Sequence, residues 1–166
     1  MSRSAAFVVL LLGGCTGDRA RSTDVEILRV APTQMLGDSL EVTPALDTTQ
    51  DAPDRADVAL SIEVRIRNAS ASTKPVPRIA FRAVAESARD TTARWRYEIT
   101  RRSVDSLRGG ESANFGVSTS PRLVAAGDAV DGLYRVEAMF GDSIGRRVLP
   151  VGRIRLRSDS VAARRP

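Results

Sequence analysis

The chain has no histidine, a single cysteine and, among its 25 basic residues, a single lysine, Lys74. Without histidine, imidazole general-base chemistry, Ser-His-Asp and Cys-His nucleophile systems and most zinc sites fall away. With Cys15 alone, no intramolecular disulfide can form, even in an oxidising compartment. Aromatic residues are sparse, at one Trp, two Tyr and four Phe, which weakens a carbohydrate-binding reading that needs exposed stacking rings. The longest apolar run is Ala5–Leu12, far short of the roughly 20 residues that span hydrocarbon. No phosphate-cradling loop is present, because Gly109–Gly110 lacks both the lysine and the following helix.

What is present begins at the N-terminus. Arg3 gives a positive start, Ala5 to Leu12 a short apolar core, and Gly13–Gly14–Cys15 a small-residue end. Such a segment reads as targeting rather than fold. An ordinary secretory signal with an incidental cysteine is the competing reading. The run Leu12-Gly13-Gly14-Cys15 resembles the lipobox of bacterial lipoproteins. That resemblance implies diacylglyceryl transfer to the Cys15 thiol and cleavage between Gly14 and Cys15. Acyl chains contribute about 0.8 kcal/mol per buried CH₂, and two or three together anchor stably. The resemblance places the chain in the cell envelope, attached to the membrane through lipid on Cys15. Thr16, where an inner-membrane retention signal usually carries Asp, favours the outer membrane facing the periplasm if the cell is diderm.

Removing residues 1–14 from 166 leaves 152, enough for one domain with a real core. Residues 15–23 read as the lipidated N-terminus and a polar tether, 24–157 as a single domain strongest over 58–157, and 158–166 as a flexible tail. Lys+Arg 25 against Asp+Glu 20 gives +5, and loss of Arg3 with the signal takes this to +4. The dominance of arginine, with abundant alanine and valine, reads as a GC-rich coding bias. No nucleic-acid partner is expected for an anchored envelope protein.

Hydrophobic periodicity points to strands. Val25–Val30 is a first candidate, and residues 43–57, rich in Thr, Asp, Pro and Ala, read as a loop. In Val58–Arg67, the residues Val58, Leu60, Ile62, Val64 and Ile66 alternate with polar or small neighbours, ending at Asn68. Ile79, Phe81, Ala83 and Ala85 form a second alternation, although a helix over 83–94 is conceivable from its Ala, Glu and Arg content. Trp95, Tyr97 and Ile99 share a face, as do Ala113, Phe115 and Val117, and then Tyr134, Val136, Ala138 and Phe140. Gly141–Asp142 is a hairpin turn, and the return strand runs over Arg146–Arg157, with Pro150 and Gly152 marking an edge or a bulge.

Strands joined by short Gly, Pro, Asn and Asp loops predict an all-β, antiparallel sandwich of about seven strands. Val64–Asn68 followed by Leu107–Ser112 resembles bacterial immunoglobulin-like accessory domains, where a V-x-V-x-V-x-N strand precedes an L-x-x-G-E-S hairpin. A similar pattern, with late aromatics as at Leu133–Tyr134, occurs in the small sandwich family typified by a Bacillus proteinase inhibitor. Gly109 stands where that family usually has Pro. These likenesses imply an immunoglobulin-like fold.

Few residues are candidates for chemistry. Asp47, Asp51, Asp54 and Asp57 could supply oxygen ligands to Ca²⁺, but their spacing matches no calcium loop, and solvated acids are the expectation. No metal, cofactor or catalytic residue is expected. Arg153, Arg155 and Arg157 alternate along the last strand and are the candidate contact to an anionic surface; charge protecting an edge strand is the competing reading. Trp95 and Tyr97 could form a ligand platform if exposed, but their shared period with Ile99 favours the core, as does the period of Phe81, Phe115, Tyr134 and Phe140. The functional expectation is a lipid-anchored, non-enzymatic envelope protein that docks an envelope protein partner or supports an assembly. A periplasmic inhibitor-like or chaperone-like binder is the alternative. A hydrolase working through Glu63, Glu98 or Glu137 ranks last, since all three project from solvent-facing strand positions.

Overall fold

The computed structural model describes residues 23–50, 58–86, 95–100, 104–121, 124, 132–141 and 147–158. The signal segment 1–14, Cys15, the tether through residue 22 and the tail beyond 158 lie outside the described residues.

Period-2 alternation becomes strand throughout. In chain order the strands are β1 (Thr23–Val30), β2 (Gln34–Leu36), β3 (Leu40–Gln50), β4 (Val58–Asn68), β5 (Lys74–Pro75), β6 (Ile79–Ala85), β7 (Trp95–Glu98), β8 (Ser106–Leu107), β9 (Ser112–Thr119), β10 (Gly132–Phe140) and β11 (Arg147–Ser158). One sheet has the order β1-β11-β10-β6-β7, a second β2-β3-β4-β9, and β5 pairs β8 in a two-stranded ribbon. Every pairing is antiparallel. The two main sheets pack face to face as an all-β, antiparallel sandwich. Eleven strands rather than about seven are present among the described residues, because three are only two or three residues long and β3 was not anticipated.

The core comes from both inner faces: Leu60, Ile62, Val64 and Ile66 of β4 meet Phe81, Tyr134, Val136, Phe140, Ile154 and Leu156 of the larger sheet. The four β4 side chains are fully buried, each contributing about 2 kcal/mol of burial. Phe81, Phe115, Tyr134 and Phe140 are core residues as their spacing predicts. Ala80, Val84 and Met139, on the outer face of the larger sheet, are buried as well. That sheet is therefore covered on both sides along part of β6 and β10.

Two expectations need correction. Residues 43–57 do not begin as a loop: β3 runs to Gln50 and pairs β4 from Leu40↔Asn68 to Gln50↔Val58. Leu40, Val42, Pro44 and Leu46 alternate into the interior, a period disguised by the Pro and Thr among them. Pro44 is tolerated because β2 pairs β3 only as far as Val42, so Pro44 lies on a free edge where no ladder donor is required. Tyr97 is exposed, at 45%, although Trp95 on the same face is buried. Both lie on β7, the outermost strand of its sheet, and of the two only Trp95 joins the core cluster. β6 holds strand geometry to Ala85, as its alternation predicts; residues 87–94 lie outside the described residues.

The two motif segments meet around Asn68. Its Nδ2 donates to the carbonyls of Ser72 (2.7 Å) and Leu107 (2.9 Å), and its Oδ1 accepts from the Ser70 N–H (3.0 Å) and Ser70 Oγ (2.8 Å). Its backbone is bound too: the N–H donates to the Glu111 carbonyl and the carbonyl accepts from Gly110 N–H. A fully buried amide is thus fully satisfied. Gly110 turns with φ +80°, while a Cβ on Gly109 would sit 2.6 Å from the Ser70 carbonyl oxygen. The Glu111 carboxylate closes the turn by accepting from the Arg108 N–H at 2.7 Å.

Candidate functional site

The outer face of the larger sheet carries most of the ordered charge. Arg153, Arg155 and Arg157 project from it at alternate positions of β11, as their spacing predicts, but each is bound to a carboxylate. Arg155 and Arg157 share Glu26 of β1, at 2.8 and 3.5 Å. Arg153 grips Glu86 with two parallel bonds, Nε to Oε1 at 2.7 Å and Nη2 to Oε2 at 2.6 Å. This fork geometry is the strong form of the guanidinium–carboxylate pair. Glu86 is positioned just past β6 by its own N–H, which donates to the Leu133 carbonyl at 2.8 Å. The hydrogen bond from Arg153 holds the Glu86 carboxyl below its ordinary range; burial opposes this, and the charges of Arg153 and Arg135 reinforce it. The same bond raises the Arg153 guanidinium further above its ordinary value.

β11 is not an edge. It lies between β1 and β10, so its arginines do not shield a free backbone. Pro150 and Gly152 mark a bulge: Val136 pairs Gly152 while Glu137 pairs Pro150, leaving Val151 extra. A second irregularity lies alongside, where Ile27 pairs Ile154 but Arg29 pairs Arg153, leaving Leu28 extra in β1. Bulges add twist and re-aim side chains. Here they bring three arginines into one row across three strands: Arg29 opposite Arg153 and Arg153 opposite Arg135. Directly opposed residues share a face, and like charges so placed repel. Glu86 pairs directly with one of the three, Arg153, and is attracted by a second, Arg135. The Arg29 and Arg135 side chains make no ion pair with a described residue.

A cleft of about 460 Å³ opens along this row. Arg29, Arg135, Arg153 and Glu137 form its polar wall; Ala31, Pro32, Val136, Val148, Pro150 and Gly152 supply the rest. Its floor is pinned by Ala31 N–H donating to the Val151 carbonyl (2.8 Å) and by Gln34 Nε2 donating to the Pro150 carbonyl (2.9 Å). Gly152 is required here, since a Cβ would run into the Arg29 carbonyl oxygen and the Leu46 side chain. Glu137 is held by Arg82 at 2.7 Å, so among the described residues the cleft retains two guanidiniums outside any ion pair, Arg29 and Arg135, beside apolar surface, with Glu86 near enough to attract the second. Such an arrangement is suited to an anionic group attached to an apolar one. A shallower depression beside Leu133 carries Arg155 and Arg157, both already committed to Glu26.

The remaining candidates are dispersed. Asp47 is exposed on β3, where its Oδ1 accepts from the Thr48 N–H at 2.7 Å; Asp51, Asp54 and Asp57 lie outside the described residues. Among the described residues no group of three or more metal-ligating side chains converges, and no helix is long and apolar enough to cross a membrane. Glu63 sits on the smaller sheet, Glu98 and Glu137 on the larger, with Glu98 3.8 Å from Arg96. The three do not meet. Reading the sequence alone misses Arg29 and Arg135, because only the register of two bulged strands aligns them with Arg153.

No known protein family matches this chain, and no curated protein does. Among solved structures it is similar to a protein described as ApaA from Bordetella pertussis, at 14% identity and TM-score 0.42, covering 76% of this chain and 96% of that one. It is similar also to the structural-genomics target SoR45, at 9% identity and TM-score 0.41, covering 77% and 92%. A third similarity is to beta-glucosidase 3B from Thermotoga neapolitana, at 16% identity and TM-score 0.40, where 72% of this chain matches 17% of that one.

Proposed function

We propose that this chain is a lipid-anchored, non-enzymatic binding module of the cell envelope. Lipid on Cys15 holds the sandwich at the membrane, and the sandwich docks a protein partner through the arginine-lined cleft. The observation that carries this reading is the cross-strand row Arg29–Arg153–Arg135, in which, among the described residues, one carboxylate pairs directly with the three cations. Maintaining that row costs stability, and an acidic partner segment with an apolar neighbour would relieve it. Electrostatic complementarity of this kind sets specificity and association rate more than raw affinity.

The test is a crosslinking capture from native membranes comparing wild type, Cys15→Ala and Arg29→Ala/Arg135→Ala, with lipid labelling of each. The expected result is lipid on all but Cys15→Ala, and one protein captured by wild type but lost from the double arginine variant. Equal capture by wild type and the arginine variant would remove the cleft from the docking surface. Absence of lipid on wild type would remove the anchor.

A further inference from the structure

We propose that strand β9 is a pairing edge and that its occupant is the β9 strand of a second copy of this chain. The two main sheets end in four edges, and three of them are guarded. β1 carries Asp24, Glu26 and Arg29 and is bulged at Leu28. β7 is four residues long and carries Arg96 and Glu98. β2 is three residues long, and the stretch of β3 beyond it presents Pro44 and Asp47. Short length, charge, proline and bulges are the devices by which natural sheets prevent edge-to-edge pairing.

β9 has none of them. It spans eight residues, Ser112–Thr119, with no charge, no proline and an unbroken register against β4 from Arg67↔Ser112 to Leu60↔Thr119. Among the described residues no strand pairs its other side. Its solvent face is Ser112, Asn114, Gly116 and Ser118, small and uncharged; Ala113 and Val117 on the inner face remain half-buried.

A second copy is favoured because the strand is close to symmetric under reversal. An antiparallel pairing centred on Phe115 places Ser112 opposite Ser118, Ala113 opposite Val117, Asn114 opposite Gly116 and Phe115 opposite its twin. Small polar residues meet small residues on the outside, and apolar residues meet apolar ones within. A two-fold interface needs this self-complementarity. The result is a continuous eight-stranded sheet made from two four-stranded ones. Charge does not oppose it: Arg65 of β4 reaches over β9 to donate to Ser112 Oγ at 3.0 and 3.2 Å, but the two Ser112 sites of the pair lie six residues apart along the strand, roughly 20 Å at 3.4 Å per residue. That exceeds the screening length of about 8 Å at physiological salt.

The experiment uses the full chain purified in detergent. Ser112→Cys/Ser118→Cys places two thiols too far apart to join within one strand, at roughly 3.4 Å per residue, but opposite each other between copies. Mild oxidation is expected to convert it to a disulfide-linked dimer joined 112 to 118, while wild type and an Arg96→Cys/Glu98→Cys control on β7 do not crosslink this way. Wild type is expected to show twice the chain mass by light scattering. Asn114→Lys/Ser118→Lys is expected to halve that mass with its melting temperature retained. A wild type that stays monomeric at tens of micromolar, a β7 control that crosslinks equally, or a disulfide to a different protein would each overturn the proposal.

Discussion

Arg29 stands directly opposite Arg153 across β1 and β11, with Arg135 on Arg153's other side, although more than a hundred residues separate the first from the others. Among the described residues only Arg153 of the three is ion-paired, by the forked bonds to Glu86. A sheet arranged for stability alone would not align three cations in this way, and the consequences are measurable.

Removing Arg29 or Arg135, neither of which forms an ion pair with a described residue, should leave the fold as stable or slightly more so. Arg29→Ala and Arg135→Ala are expected to change unfolding free energy by no more than about 0.5 kcal/mol in the destabilising direction, with a gain equally consistent with relieved repulsion. Urea denaturation measures this. A loss of several kcal/mol in either variant would mean the arginine is a structural element and not a binding group.

Glu86 should make stability fall in acid. Its folded carboxyl titrates below the ordinary value of 4.5, so its contribution is complete above that value and is lost as pH drops through the lowered one. Glu86→Gln should therefore be less stable than wild type at neutral pH and converge with it in acid. Its defect should shrink as salt is added, because screening weakens the repulsion left among the three arginines. A salt-independent defect would show that Glu86 acts by packing alone.

Asn68→Ala is expected to destabilise the fold by about 3 kcal/mol. The change leaves the buried Leu107 carbonyl and the part-buried Ser70 N–H without their partner and takes one of two donors from the Ser72 carbonyl, an unsatisfied buried group costing about 1–3 kcal/mol before relaxation. Asn68→Asp should be damaging as well, since its second oxygen would face two carbonyl oxygens where Nδ2 now donates. Chemical denaturation of both variants checks this; retention of wild-type stability by either would contradict the hydrogen-bond account.

Gly109 and Gly110 should differ in kind when changed to alanine. At Gly110 a Cβ meets nothing within 4 Å, but φ is +80°, so the cost is left-handed strain of about 1 kcal/mol. At Gly109 the Cβ would press on the backbone oxygens of Ser70 and Ala71 at 2.6 and 2.9 Å, forcing the β4–β5 connection to move. Gly109→Ala is expected to be the more destabilising in thermal melts, and the reverse order would show that the connection yields freely.

Much of the sandwich was legible in the chain itself. Leu60, Ile62, Val64 and Ile66 announce β4 because side chains alternate across a strand, and that alternation is a local property. Asn68 and the Leu107–Ser112 segment could be matched as motifs, although not that one clasps the other. The stretch after Thr43 was hidden because Pro44 and the threonines do not look apolar, and what makes them strand residues is the partner strand β4. Tyr97 carries the same period as Trp95 on the same strand, yet only Trp95 is covered, because cover depends on what packs against each position and not on the period. The arginine row is the clearest case: alternation told which face Arg153 takes, but its neighbours on that face depend on two bulges and on β11 lying between β1 and β10. Periodicity is written into adjacent residues; register and strand order arise only when distant segments compete to pair, and those decided where the charges meet.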